Sequence, residues 1–501
     1  VTGESRLTAL RSRVGSALHE RFRIDRRALA AFRIALGCLL LADLALRARF
    51  LRAFYTDVGV RPRADHLTVS DPLHPSLHVI FGDVWGQAVL FGIAGVLALA
   101  LVVGYRTRIA TVGSWLMLVS LHNRMPAVLN GGDVLLRLLL FWAIFLPLGA
   151  RWAVDSSQRT TDPDRTHVAS VASAALLCQV LLMYLVNAAM KLSGEIWLRG
   201  DGLEYAMSLG QFTVFLGEYI DAFPALLTVF DYVWFVLVGT AFLLVVLRGP
   251  FRTLYVALFA GMHVGMLLTM KLGLFPLIAV AALTVFLPSW FWDRASALLA
   301  DRRPVAAGRA TLDRLATWLP TVRVAEVPAT VQRWTARVRT AIVVVFLALV
   351  ILWNVQFLGY GEVVGQDVTP DVAEPAIELT RTDQYWNMFA PDPLSTDGWL
   401  VAPGTFRNGT QIDAFHGGSV TWDRPADVSS TYPTARWRKY LVGLWRSGSA
   451  DRRYFADYLC RRYNDDNWPE LDNVSVYFVE QPTRLDGPEP TERVRLMRHD
   501  C

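Results

Sequence analysis

The amino-acid sequence predicts a polytopic α-helical membrane bundle of about nine transmembrane helices, followed by a C-terminal extracytoplasmic α+β or β-rich domain. Three observations predict it. Of 501 residues, 53% are hydrophobic and only 19% charged, which a soluble chain does not need. Apolar stretches recur between residues 28 and 358 at the length of about 20 residues that a bilayer crossing takes. Beyond residue 359 the chain turns rich in Asp, Pro, Trp and Tyr, with no spanning stretch.

Residues 1–27 carry seven arginines at amphipathic spacing and read as a basic segment on the cytoplasmic face. No small-residue cleavage pattern follows the first apolar stretch, which argues against a cleaved signal peptide. The apolar stretches fall at 28–46, 85–103, 109–127, 134–150, 167–190, 223–247, 251–270, 272–291 and 340–358. Residues 28–300 thus form the main transmembrane domain, 301–339 a basic cytoplasmic linker and 340–358 the last span. Nine crossings put the two ends on opposite sides.

Cytoplasmic loops carry the excess of Lys and Arg. With the N-terminus cytoplasmic, the inner segments hold Arg106 and Arg108, then Arg151, Arg159 and Arg165, then Arg248 and Arg252, and nine more arginines in 292–339. Arg47, Arg49, Arg52, Arg61 and Arg63 follow the first span and argue the other way. The balance predicts a multi-pass cell-membrane protein whose C-terminal domain, 359–501, is extracytoplasmic. In that domain Asn408-Gly409 marks a hairpin turn between Trp399–Phe406 and Gln411–Phe415. Residues 433–446 and 451–463 read as helices and Val474–Val479 as a strand. The sequon-like Asn408-Gly409-Thr410 and Asn473-Val474-Ser475 both read as turn chemistry.

The net charge of +5 arises from arginines that punctuate apolar runs instead of forming a solvated patch, which excludes nucleic acid as a partner. Cys38 and Cys178 lie in apolar runs, and Cys460 and Cys501 can pair if the tail faces an oxidising compartment. No Cys/His spacing suggests a metal site.

Only three of the 49 cations are lysines: Lys191, Lys271 and Lys439. Arginine stays charged, whereas a lysine can release its proton and act as a base. Lys191 and Lys271 both end apolar spans, where snorkelling to the interface is the plain alternative. Asn187 and Glu195 each sit four residues from Lys191, on one face if the helix continues past Ser193-Gly194. The run Trp197–Leu209 reads as a segment able to lid that site. Asn130-Gly131-Gly132-Asp133 reads as a turn capping the next helix at Asp133, with Arg137 one turn on as an intramembrane ion-pair partner. His122 precedes this turn. His263, Arg33, Asp43 and Asp231 also lie in apolar runs, where ionisable groups mark an internal cavity or pathway.

Phe32-Arg33-Ile34, Phe54-Tyr55-Thr56-Asp57-Val58-Gly59-Val60, His122-Asn123-Arg124, Asn130-Gly131-Gly132-Asp133, Phe145-Leu146-Pro147-Leu148-Gly149 and Trp152-Ala153-Val154-Asp155 together resemble the HTTM domain. This is the membrane domain related to vitamin K-dependent γ-glutamyl carboxylase. Lys191-Leu192, and His263 followed by Leu272-Gly273-Leu274-Phe275-Pro276, continue the resemblance over about residues 28–300. Asp383–Pro391 and Arg436–Leu441 resemble the outer domain of bacterial HTTM proteins. The resemblance implies a lipid-quinol-dependent enzyme, menaquinone-like in its cofactor, acting on a secreted peptide or protein. Lys191 is then the base, with His263 catalytic beside it, Asn187 on the quinol, and His122, Asp133 and Arg137 shaping the cavity. Where the carboxylase has a histidine before its Trp-Ser-Val-Asp sequence, this chain has Ala150-Arg151, so glutamate carboxylation itself is not carried over. The alternative is a non-catalytic maturation or export factor for a secreted peptide or partner protein. A transporter ranks lower, because no paired pattern of broken helices is evident.

Overall fold

A computed structural model describes residues 15–64, 74–158, 166–299, 302–321, 328–359, 370, 373–446, 449–464 and 470–501. The expectations for residues 1–14, Arg159, Arg165 and Arg323 lie outside the described residues. The first long helix, α1 (Arg26–Ala48), starts where the Asp25 carboxylate accepts the Arg27 N–H. Ile24–Asp25, as β1, pairs antiparallel with β2 (His167–Val168) and so ties the entry of α1 to the chain leading into the fifth apolar stretch. Helix α2 (Val84–Val103) is capped by Asp83 and ends at Gly104, at φ +72. A Cβ on Gly104 would overlap the Arg33 guanidinium and Ala153, so both its backbone and its space call for glycine.

Then follow α3 (Thr107–Arg124), α4 (Gly131–Ala143), α5 (Val171–Lys191), the short α6 (Glu195–Arg199) and α7 (Gly202–Ser208), α8 (Pro224–Gly239), α9 (Gly249–Thr269), α10 (Phe275–Leu283), α11 (Ser289–Leu299) and α12 (Ala329–Phe357). All nine apolar stretches contain helix. Among the described residues, five helices are long and apolar enough to cross a membrane: α1, α2, α5, α9 and α12. A sixth is reached if Phe275–Phe286 and α11, bent by 102°, are taken as one span. The others fall short for visible reasons. Helix α4 has 13 residues, about 20 Å at 1.5 Å per residue, against a hydrocarbon core of about 30 Å. Helix α8 stops after 16, and α3 ends in the buried polar triplet His122-Asn123-Arg124.

Large apolar side chains such as Val96, Leu99, Leu254, Leu258, Val344 and Val345 stay exposed on the outside of the bundle, as a lipid-facing surface requires. Inside, Phe32, Leu138, Trp142, Leu176 and Phe259 belong to one core.

The C-terminal region is built on a long central strand, β6 (Leu471–Pro482). Strands β3 (Thr396–Val401) and β4 (Pro403–Phe406) pair with successive parts of β6, β5 (Gln411–Asp413) pairs with β4, and β7 (Glu492–Asp500) pairs with β6; all pairings are antiparallel. The expected single strand Trp399–Phe406 is therefore two, broken at Ala402. The Asn408-Gly409 turn forms, with Gly409 at φ +84 and the Asn408 side chain accepting the Thr410 N–H. Asn473-Val474-Ser475 is a correction: it lies inside β6, not in a turn. Helices α13 (Ala435–Arg446) and α14 (Ser449–Asn464) match the two expected helices closely, and Cys460 is disulfide-bonded to Cys501.

This region shares its core with the bundle. Trp437 of α13 packs on Phe54 with ring centroids 4.5 Å apart, and Phe54, Val60, Leu121 and Val128 belong to the same buried cluster as Trp399, Tyr440 and Phe478.

Candidate functional site

Helix α5 carries one of the two polar clusters at the junction of bundle and sheet. A capping box between Ser170 and Ser173 sets its start, and its last residue is Lys191. The chain turns there, with the Gly194 N–H bonded to the Lys191 carbonyl, so Glu195 opens α6 and does not continue the Asn187–Lys191 face. Tyr184, Asn187 and Lys191, spaced three and four residues apart, share one face of α5.

Lys191 is 1% exposed. Its Nζ lies 3.2 Å from the centroid of the Trp197 ring and 5.1 Å from that of Trp234. Among the described residues it has no ion pair within 4 Å; the carboxylate that acts on it electrostatically is Asp231, whose Oδ2 accepts the Gly202 N–H and whose Oδ1 is buried without a hydrogen bond. Trp197, at the head of the expected lid, therefore covers the amine. His263 reaches the same face of α5 through Tyr184, its Nε2 2.8 Å from the hydroxyl, and its Nδ1 is buried without a hydrogen-bond partner.

The segment Gln384–Asp392 runs along this face. Asn187 donates from its amide nitrogen to the carbonyls of Trp386 and Met388, at 2.8 and 3.1 Å. The Trp197 indole donates to the Phe389 carbonyl at 2.7 Å, and the Ile196 N–H to Asp392. One level deeper, Trp142 donates to Gln179, and both Gln179 and Trp386 donate to the Gln384 side-chain oxygen. Both N–H bonds of the Asn187 amide are thus directed at the chain itself, which leaves its side-chain oxygen without a bond among the described residues.

The second cluster gathers around Asp133. The cap of α4 is Asn130, not Asp133: the Asn130 side chain accepts the Gly132 and Asp133 N–H groups, and Asp133 returns to accept the Asn130 N–H in a capping box. The expected Asp133–Arg137 ion pair does not form. Asp133 bonds instead to Arg47 at 2.6 Å and to Arg436 at 2.8 Å, while Arg137 turns to the Arg381 carbonyl at 2.6 Å and to Asp383. The reason is that Arg47 and Arg436 approach Asp133 from two other elements, α1 and α13. Arg47 also holds Asp43 at 2.7 Å and the Tyr55 hydroxyl at 2.7 Å, and Arg436 closes the ring onto Asp43.

Two carboxylates and two guanidiniums thus balance in a buried site, the arrangement in which a buried pair is tolerable. For Arg436, burial and Arg47 work against the charged form, and Asp133 and Asp43 outweigh them, so its pKa is raised. His122, fully buried, stands 3.6 Å from Asp133 and accepts from Arg137 at Nδ1, 3.3 Å away. A cavity of about 60 Å³ adjoins the cluster, walled by Phe50, Phe54, Leu136, Phe275 and Ile278.

The six residues expected at one site therefore fall into two groups, Lys191, Asn187 and His263 on one side and His122, Asp133 and Arg137 on the other. Residues 381–392 touch both groups. Arg47, counted from sequence as a loop charge, is a buried member of α1. Arg436, Gln179 and Gln384 went unassigned; the one visible signal was the i, i+4 spacing of Asp43 and Arg47 at the end of an apolar run. Lys271 is a tether: its Nζ donates to the carbonyls of Ser429 and Tyr432, each at 2.8 Å, and burial, opposed by Asp427, lowers its pKa. Among the described residues no cluster of His, Cys, Asp or Glu is arranged to hold a metal.

Residues 22–290, more than half of the chain, match the HTTM domain family. No curated protein and no solved structure matches the chain. The matched stretch takes in α1 to α10, and with them Lys191, His263, Asp43, Arg47, His122, Asp133 and Arg137, while Arg436 lies outside it; on that match the chain belongs to the HTTM domain family.

Proposed function

We propose that this protein is a multi-pass membrane enzyme related to the vitamin K-dependent carboxylase, in which Lys191 takes a proton from a lipid quinol at the outer face. One observation carries the reading: a fully buried amine, free of any described ion pair, lies against two indole rings at the end of a membrane helix. Buried ionisable groups in membrane helices are costly and by default functional. Flat aromatic walls suit a quinone ring, and an amine suits its hydroxyl, so the residues present fit such a group. A menaquinone-like quinol would supply the acidic hydroxyl and the reducing equivalents.

For its part, the protein holds the proton at Lys191 Nζ, orients the ring through the Asn187 oxygen and the His263–Tyr184 pair, and excludes water with Trp197. His122, Asp133 and Arg137 brace the neighbouring wall. Arginine at position 191 would remain charged and take no proton. The placement is N-terminus cytoplasmic and C-terminal domain extracytoplasmic, across nine crossings of which the shorter helices are part. The Cys460–Cys501 disulfide supports the outer placement, since such bonds persist in oxidising compartments. The burial of Arg47 removes one charge from the loop that argued against it.

Purified protein is expected to retain a quinone detectable by extraction and mass spectrometry, and to oxidise menaquinol in proteoliposomes supplied with dioxygen, which takes up the two electrons. Lys191→Ala and Lys191→Arg should abolish turnover with the melting temperature of the outer domain unchanged. Full turnover in Lys191→Arg would remove the lysine from the mechanism.

A second reading, a maturation factor that binds a secreted peptide without redox chemistry, is favoured by the way Asn187 and Trp197 bond backbone carbonyls of a segment outside regular secondary structure. Retention of a peptide and absence of any quinone would select it.

A further inference from the structure

At the opposite end of the bundle, arginines that read from sequence as topology marks also build a site. A cavity of about 210 Å³ opens between the chain at Arg21 and Arg23, the start of α9 at Arg248–Arg252, and the turn at Pro288–Trp290. Arg252 lines it, 8% exposed, with Nε and Nη2 buried and lacking any hydrogen-bond partner. Its guanidinium carbon lies 5.7 Å from the centroid of the Phe286 ring, which binds one face and leaves the N–H edge unmet.

The nearby acids are taken. Glu20 pairs with Arg248 at 3.3 Å and Arg23 at 4.0 Å. Asp25 pairs with Arg27 at 2.9 Å and accepts from Ser289. No described carboxylate neutralises Arg21 or Arg252, and the first N–H groups of the 21-residue α9 add partial positive charge. A buried, unmet guanidinium edge is costly; the ligand that answers it best is an oxyanion able to accept two parallel N–H bonds, as phosphate does.

The surroundings choose the source of that phosphate. On α9, Phe251 is 71% and Leu254 60% exposed, and Trp290 stands at the rim of the cavity, 41% exposed. Apolar surface facing lipid thus begins beside the cavity, with an indole at the depth where headgroups lie. We propose that the cavity binds the phosphate of an anionic phospholipid, with Arg252 as the buried anchor and Arg21 and Arg248 at the rim.

The test uses the full chain in detergent, titrated with phosphatidylglycerol, phosphatidylcholine or inorganic phosphate, and read by native mass spectrometry and thermal unfolding. Phosphatidylglycerol is expected to stay bound and raise the melting temperature, phosphatidylcholine much less. Arg252→Gln should weaken the anionic lipid by roughly tenfold or more, on the scale of a charge-assisted hydrogen bond. Should that variant fail to fold, Arg21→Gln with Arg248→Gln at the exposed rim decides the matter, with a severalfold loss and a weaker dependence on salt expected. Equal binding of the two lipids, or undiminished phosphatidylglycerol binding in the variants, overturns the proposal. A full thermal shift from millimolar inorganic phosphate alone would assign the site to a soluble anion and overturn the lipid.

Discussion

The amine of Lys191 lies face-on to the indole of Trp197, 3.2 Å from the ring centroid, and the same indole donates its N–H to the Phe389 carbonyl. One side chain therefore covers the lysine and anchors the segment that runs past it.

Opening that cover should expose the lysine. In the wild type, Lys191 is expected to resist an amine-reactive reagent, while Trp197→Ala makes it react; peptide mass spectrometry reads the difference. Trp197→Phe keeps a ring over the amine and loses one hydrogen bond, a cost of about 1 kcal/mol, and should leave Lys191 protected. Equal labelling of all three proteins would show that the indole is not the cover.

The ring of Asp43, Arg47, Asp133 and Arg436 predicts a large loss on removing one member. Arg436→Ala should destabilise by about 3–5 kcal/mol, because Asp133 is then buried beside one cation instead of two. Asp133→Asn should cost a similar amount, and the double variant less than the sum, since the two share one interaction. Additive losses in unfolding measurements would mean that the two residues act separately.

His416 predicts a pH effect in the C-terminal region. Both ring nitrogens face acceptors, Asp413 at 3.3 Å and the Thr431 carbonyl at 2.9 Å. Burial and Arg462 disfavour the imidazolium, yet Asp413 and Thr431 win, so its pKa is raised above the ordinary 6.5. Asp413 is lowered despite its own burial, mainly through His416 and backbone N–H groups. The histidine's contribution is complete below pH 6.5 and is lost as pH rises through the raised value; that of Asp413 is lost in acid. The melting temperature should fall as pH rises above about 6.5, and His416→Gln should flatten that slope.

Cys460 and Cys501 are 41 residues apart in sequence. Closing a loop of that size in the unfolded chain is worth about 4 kcal/mol on the chain-entropy scale. Reduction, or Cys501→Ser, should lower the melting temperature of the C-terminal region while leaving the bundle helices in place by circular dichroism.

The pattern of apolar runs was enough to locate every described helix of spanning length, because lipid and core impose the same chemistry over some 20 residues. It did not separate helices of spanning length from α4 and α8, since composition does not register that α4 starts at Gly131 and stops at Ala143, or that α8 stops at Gly239. Lys191 was legible through its rarity among 49 cations. Its indole cover was only half legible, as a lid of unspecified contact, because Trp234 comes from a helix 43 residues on. The partners of Asp133 were misread for a related reason: helical spacing favours the local Arg137, and nothing local signals that Arg436, 303 positions later, supplies the stronger bond. Strand β7 escaped notice because its alternating Arg-Val-Arg-Leu pattern is polar on the face turned away from the core.

The segment from Gln384 to Asp392 also bears on the order in which the protein is made. Gln179 and Asn187 leave the ribosome about two hundred residues before the backbone and side-chain groups they bond to. Until those groups arrive, the amides of α5 have no partner there, and the face that carries Lys191 stands open. The bundle is therefore finished late: its helices are made first, and closure of this face waits for delivery of the tail.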